Sequence, residues 1–132
     1  MRTTTQLIFL ILCAAATGLA GCNSGPDMGT VTGKVTLDGQ PAEGLEVEFE
    51  PKQAGTGTSA IGYTQPDGSY ELYYPGDRKG APPGEYTVRI RGAERDDPAE
   101  QKVVAPRFNM ESELSATVES GANTFNFEVE SK

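Results

Sequence analysis

Val31-Thr32-Gly33-Lys34-Val35-Thr36-Leu37, running into Asp38-Gly39-Gln40-Pro41, is the stretch that decides how this chain folds. Val31, Val35 and Leu37 stand at alternate positions with Gly33 in the remaining slot, while Thr30, Thr32, Lys34 and Thr36 lie between them. A period of two sends successive side chains to opposite faces of a strand, so one face is apolar and the other polar. Asp38-Gly39 then supplies a tight turn, because both residue types tolerate positive φ.

The same period recurs downstream. Leu45, Val47 and Phe49 alternate with Glu46, Glu48 and Glu50 as far as Pro51. Beyond a glycine-rich loop at Gly55 to Thr58, Ser59 to Gln65 reads as a third strand. Pro66-Asp67-Gly68 turns the chain into Tyr70, Leu72 and Tyr74, which alternate with Glu71 and Tyr73. Tyr86, Val88 and Ile90 interleave with Thr87, Arg89 and Arg91, and Leu114, Ala116 and Val118 form a sixth run. Ser120-Gly121-Ala122-Asn123 reads as a connector into a seventh, Phe125, Phe127 and Val129. Seven short strands with one apolar face each must bury those faces against one another. The expectation is an all-β, seven-stranded sandwich over residues 29–132.

Several details follow from phase. Glu46, Glu48 and Glu50 fall on the outward face of one strand and read as a solvated row, balanced by Arg89 and Arg91 on a neighbour. Gly39 and Gly68 should take positive φ, and Asp67 should close its turn through a side-chain to backbone hydrogen bond. Tyr63, Tyr73 and Tyr74 are candidates for a binding surface, Tyr73 above all because it is out of phase with its strand's apolar positions. Residues 92–112 form the longest segment without strand pattern, expected to cross the surface with Val104, Phe108 or Met110 against the sandwich rim.

The first 22 residues are of another kind. Met1 to Gln6 is short and weakly basic, and Leu7 to Ala16 is a ten-residue apolar run. Spanning a bilayer takes about 20 apolar residues, so this run has the length of an export signal. Leu19-Ala20-Gly21-Cys22 follows. These four residues resemble the lipobox of bacterial lipoproteins, where peptidase recognition of the first three frees a cysteine thioether-linked to diacylglycerol. The resemblance implies a signal peptide over 1–21, a lipidated Cys22 with a tether over 22–28, and a domain held outside the cytoplasm at the cell membrane or the outer membrane. Asn23 stands where inner-membrane lipoproteins of Gram-negative systems carry aspartate, which leans towards the outer membrane. Lipidation also accounts for the cysteines: Cys13 lies inside the apolar run, so Cys22 is otherwise a lone thiol in an exported chain.

Charge narrows the partners. Formal net charge is −8, with 19 acidic side chains against 11 basic. Loss of residues 1–21 removes Arg2 from the 11, which leaves 10 against 19 and a net charge of −9. Such a field repels phosphate backbones and argues against nucleic acid. It equally repels anionic headgroups, so attachment to a membrane has to come from the lipid anchor.

The stretch Val31 to Pro41 with Gly44-Leu45-Glu46-Val47-Glu48-Phe49 resembles the opening of carboxypeptidase regulatory-like domains, which are transthyretin-like β-sandwiches. Pro66-Asp67-Gly68-Ser69-Tyr70-Glu71-Leu72 and Pro83-Gly84-Glu85-Tyr86-Thr87-Val88 are similar to two further signatures of that family. Joined to a lipobox, the whole resembles small lipoproteins numerous in Planctomycetes. These motifs consist of turn and core residues, so the resemblance implies a fold and leaves activity open.

Chemistry is sparse. The chain has no histidine, which removes the commonest general base and the usual zinc ligand. Hydroxyisourate hydrolase shares the transthyretin-like fold, but its catalytic histidines have no counterpart here. A glycosidase needs two carboxyls flanking a cleft, and no spacing selects such a pair. Calcium at Asp67, or at Asp96 and Asp97, would need several converging oxygens. An internal Lys–Asn crosslink would need both partners buried, whereas the phases of Lys34 and Asn126 turn both to solvent. No catalytic residue, metal or cofactor is expected. The reading is a membrane-anchored, non-enzymatic structural or interaction module with an envelope protein or glycan as partner. The alternative is a carbohydrate-binding lipoprotein that uses Tyr73 and the 92–112 loop with its Phe108.

Overall fold

The computed structural model describes residues 27–55 and 57–132. The expected signal peptide, the lipobox-like residues Leu19, Ala20, Gly21 and Cys22, and most of the expected tether lie outside the described residues. Eleven strands follow one another: β1 (Gly29–Leu37), β2 (Gln40–Pro41), β3 (Leu45–Pro51), β4 (Ala60–Tyr63), β5 (Ser69–Glu71), β6 (Tyr73–Tyr74), β7 (Arg78–Lys79), β8 (Gly84–Gly92), β9 (Ser115–Val118), β10 (Gly121–Thr124) and β11 (Phe127–Val129). One sheet centres on β1, with β2 and β5 antiparallel to it and β10 and β11 parallel. The other runs β7-β6-β4-β3-β8-β9 and is antiparallel throughout. The two pack as a β-sandwich, the class the alternation predicts.

The expected runs are all present, but one is divided and another is preceded by an additional strand. Tyr70 to Tyr74 reads as one strand in sequence, yet β5 pairs with β1 in one sheet and β6 with β4 in the other. Leu72 is the crossing point: it is fully buried, donates its N–H to Val31 O and accepts from Gly80 N. A strand that changes sheets at a corner keeps its inward phase, so alternation alone does not reveal the switch. The seventh run is preceded by a strand where a connector is expected, since Gly121 to Thr124 pairs with Gly29 to Thr32. Two further short pairings, β2 and β7, bring the total from seven to eleven.

β1 and its hairpin behave as their residues dictate. Asp38 and Gly39 take φ of 50° and 81°, and Leu37 pairs with Gln40, a two-residue turn with both central residues left-handed. Gly68 has φ of 80°, and Asp67 Oδ1 accepts from Ser69 N at 3.0 Å. Asp38 reaches the C-terminal segment, accepting from Ser131 N and Ser131 Oγ at 3.0 and 2.7 Å, and these bonds lower its carboxyl pKa.

Between β10 and β11 the ladder with β1 is interrupted without a change of register, for Val31 faces Asn123 and Val35 faces Phe127. Side chains fill the gap. Asn126 Oδ1 accepts from Lys34 N at 2.9 Å, and Tyr70 donates its hydroxyl to Phe125 O at 2.7 Å. Lys34 and Asn126 are both exposed, as their phases require. A Cβ on Gly33 would lie 1.8 Å from Phe125 O, so this close approach admits glycine alone. Phe49 sits at the centre of the core, its ring centroid 5.8 Å from those of Tyr86 and Phe125 and 6.3 Å from that of Phe127.

The 92–112 segment is fastened to the sandwich. It carries 3-10 turns at Pro98–Glu100 and Pro106–Phe108, the first capped by Asp97, whose Oδ1 accepts from Ala99 N. Ala105 N donates to Glu130 O at 2.8 Å. Val104 and Phe108 pack against the core, whereas Met110 is 82% exposed. Of the three residues expected at the rim, Met110 is therefore not one that tucks in.

Tyr70 ties these observations to a measurement. Burial pushes its phenol pKa well above the ordinary value of 10, and burial raises Tyr86 and Tyr63 in the same direction. The unfolded chain therefore ionises first, so this contribution to stability is complete below about pH 10 and is lost as pH rises further. The urea midpoint should fall steeply above that pH and less steeply in Tyr70→Phe. At neutral pH that variant should cost about 1–3 kcal/mol, because Phe125 O loses its donor.

Candidate functional site

β4 turns Ala60 and Gly62 inward and leaves Ile61 and Tyr63 on the outer face. Ile61 pairs with Tyr73 of β6, so two tyrosines flank one isoleucine across adjacent strands. Gly62 lets the β5 backbone come close: a Cβ there would lie 2.4 Å from Glu71 O. The corner made by β5, Leu72 and β6 thereby brings the outer faces of both sheets to one groove of about 1050 Å³. Thr32, Lys34, Thr124 and Asn126 come from the β1 sheet, and Ile61, Tyr63, Tyr73 and Tyr74 from the other.

Tyr63 and Tyr73 are 54% and 43% exposed, which is high for large aromatics. Each is tied by its hydroxyl to a carboxylate that a cation in turn holds. Tyr63 donates to Glu46 Oε2 at 3.4 Å and Arg91 binds Glu46; Tyr73 donates to Glu71 Oε2 at 3.5 Å and Lys79 lies 3.1 Å from Glu71. Both phenol contacts are long, so they orient the rings more than they stabilise them. Burial first, then the Glu46 charge, raises the Tyr63 pKa. Tyr74 accepts from Thr58 N at 3.3 Å, and the Arg78 guanidinium lies 4.8 Å from its ring centroid, which occupies one ring face.

Glu46 departs from expectation. It is only 8% exposed and does not belong to a solvated row. Its cross-strand partner Arg91 covers it, also lies 3.7 Å from Glu48, and Tyr63 closes the other side. The charge balance expected from Arg89 and Arg91 is present, with Arg89 2.8 Å from Glu50. Arg89 additionally donates to Asn109 O at 2.7 Å and Met110 O at 3.2 Å, so it fastens the 92–112 segment to the β3–β8 face.

Phe108, expected to share a surface with Tyr73, does not line the groove. It is half-buried against the core with the Arg107 guanidinium 4.7 Å from its ring centroid. The structure thus assembles Tyr63, Tyr73 and Tyr74 and leaves Phe108 out. Ile61 and Gln65 are groove residues that the sequence does not single out, and Lys34 and Asn126, whose phases turn them to solvent, line the groove as well. No group of three or more His, Cys, Asp or Glu side chains among the described residues is placed to hold a metal ion.

No family model and no curated protein matches the chain. Solved structures similar to it include the following two. One is a DUF3823 family protein from Parabacteroides merdae, with a TM-score of 0.49, 15% identity, and coverage of 80% of this chain and 47% of that one. The other is a DUF3823 family protein from Bacteroides ovatus, with a TM-score of 0.50, 20% identity, and coverage of 76% and 44%. The chain spans less than half the length of either. The second likeness extends to the β-sandwich fold.

Arg91→Leu tests the network beside the groove. Removing the guanidinium strips Glu46 of its cation, and stability should fall by about 1–2 kcal/mol. That is the low end for unpairing a buried group, because Arg91 itself is half-exposed. Lys79→Ala, at the exposed Glu71 pair, should leave the urea midpoint unchanged.

Proposed function

We propose that this chain is a lipid-anchored protein of the bacterial envelope whose β-sandwich serves as a non-enzymatic structural or interaction module. The observation that carries the reading is Leu19-Ala20-Gly21-Cys22 directly after a ten-residue apolar run. Only six residues, 23–28, separate Cys22 from Gly29, a reach of at most about 25 Å when fully extended. The N-terminal end of β1 would then stay close to the headgroups, and two or more acyl chains would hold it there stably.

The carboxypeptidase regulatory-like resemblance belongs to the same reading. Its signature glycines, Gly39 and Gly68, occupy left-handed turns in this sandwich, and its strand residues Val31, Val35, Leu45 and Phe49 lie in the core. A non-enzymatic role is supported by the state of the carboxylates on β3, since arginines engage Glu46, Glu48 and Glu50 as ion-pair partners.

Fractionation of expressing cells tests the anchor. The wild-type chain should sediment with membranes, with an intact mass equal to the sequence from Cys22 plus a diacylglyceryl group and acyl chain. Cys22→Ser should accumulate as an unprocessed, unlipidated form. An unmodified wild-type polypeptide retaining Met1, or one cut elsewhere and released to the medium, would overturn the proposal.

A further inference from the structure

We propose that the groove at the β5–β6 corner binds a neutral oligosaccharide, with sugar rings stacked on Tyr73 and Tyr63. The inference gives the interaction module of the preceding reading a ligand class. It rests on that reading only for the ligand's place in the envelope; the groove chemistry stands without the anchor.

The floor and the walls ask for different things. Tyr63, Ile61 and Tyr73 form an outward apolar strip whose two phenol rings remain about half-exposed. Gln65, Lys34 and Asn126 stand around it with amide and ammonium groups. A pyranose matches this pattern, because its axial C–H bonds form an apolar face and its hydroxyls form a polar rim. The two chains of contacts, Arg91–Glu46–Tyr63 and Lys79–Glu71–Tyr73, hold both rings before a ligand arrives. Rings oriented in advance lose less freedom on binding than free ones.

Other ligand classes fit less well. A peptide added as a strand needs a long unpaired edge; β1 and β4 have neighbours on both sides, and the edge strands at the groove, β5 and β10, are only 3 and 4 residues long. A net charge of −8 repels nucleic acid and anionic glycans alike. The same charge selects an uncharged chain of sugars, to whose hydroxyls Lys34 can donate.

Affinity gel electrophoresis decides the matter, using the full-length chain in neutral detergent with soluble starch, xylan, galactomannan and mixed-linkage glucan cast separately in the gels. At least one should retard the wild type. Tyr73→Ala should weaken that retardation about fivefold or more, and Tyr63→Ala with Tyr73→Ala should abolish it. Tyr73→Phe keeps the ring but frees it from Glu71, and should bind more weakly than the wild type and better than Tyr73→Ala. Met110→Ala, exposed and outside the groove, should be unaffected, and thermal melting should show every variant folded. No retardation by any of the four, retardation only by alginate cast in a fifth gel as an anionic control, or equal retardation of a folded double variant would each overturn the proposal. Loss of sugar binding with membrane attachment intact would refute the groove alone. Binding by a chain found unlipidated would refute the anchor alone.

Discussion

The β1 strand is held on both sides, and its centre is Gly33, where three parts of the chain come within contact distance. Opposite it on one side is Tyr70 of β5; on the other is Phe125, in the gap between β10 and β11. The Phe125 carbonyl occupies the space a side chain at Gly33 would need, and there it meets the Tyr70 hydroxyl. A buried carbonyl without a donor is costly, so the missing Cβ and the phenol form one device. Through it the N-terminal, middle and C-terminal thirds of the chain meet in a single sheet.

The corner where the groove opens depends on that device. Tyr70 is fixed in the β1 sheet, and three residues later, at Tyr73, the chain has joined the other sheet with Leu72 buried between. Tyr73 therefore emerges on the outer face beside Ile61, and Glu71 falls where Lys79 and the Tyr73 hydroxyl can both reach it. On the neighbouring strands the Arg91 and Glu46 pair plays the corresponding part for Tyr63. The exposed aromatics are thus a product of backbone routing, and the ion pairs beside them lie within reach of their hydroxyls.

Strand phase was legible in the sequence because burial on one face imposes a period of two wherever a strand lies. Val31, Leu45, Phe49, Val88 and Val118 are all buried as that period demands. What alternation cannot encode is the neighbour. Leu72 keeps the phase of Tyr70 and Tyr74 while its flanks join different sheets, and Gly121-Ala122-Asn123 looks like a turn yet pairs through its backbone. Glu46 appears solvated until Arg91 folds over it from β8. Tyr73 could be singled out because its exposure follows from phase, whereas separating Phe108 from it required knowing which part of the surface the 92–112 segment crosses. Residues 1–22 are the reverse case, since their reading rests on motif and length and owes nothing to packing.

Parallel pairing of the first strand with the last two has a mechanical corollary. Leu37 lies level with Val129 and Gly29 with Gly121, so Gly29 and Val129 mark opposite poles of the domain. A pull entering at Gly29 and resisted at Val129 runs along the strands and loads the hydrogen bonds between them in shear. Those bonds share the force and must rupture together, whereas an antiparallel terminal pair would peel apart one bond at a time. The route of the backbone makes this sandwich stiffest along the direction of its terminal strands.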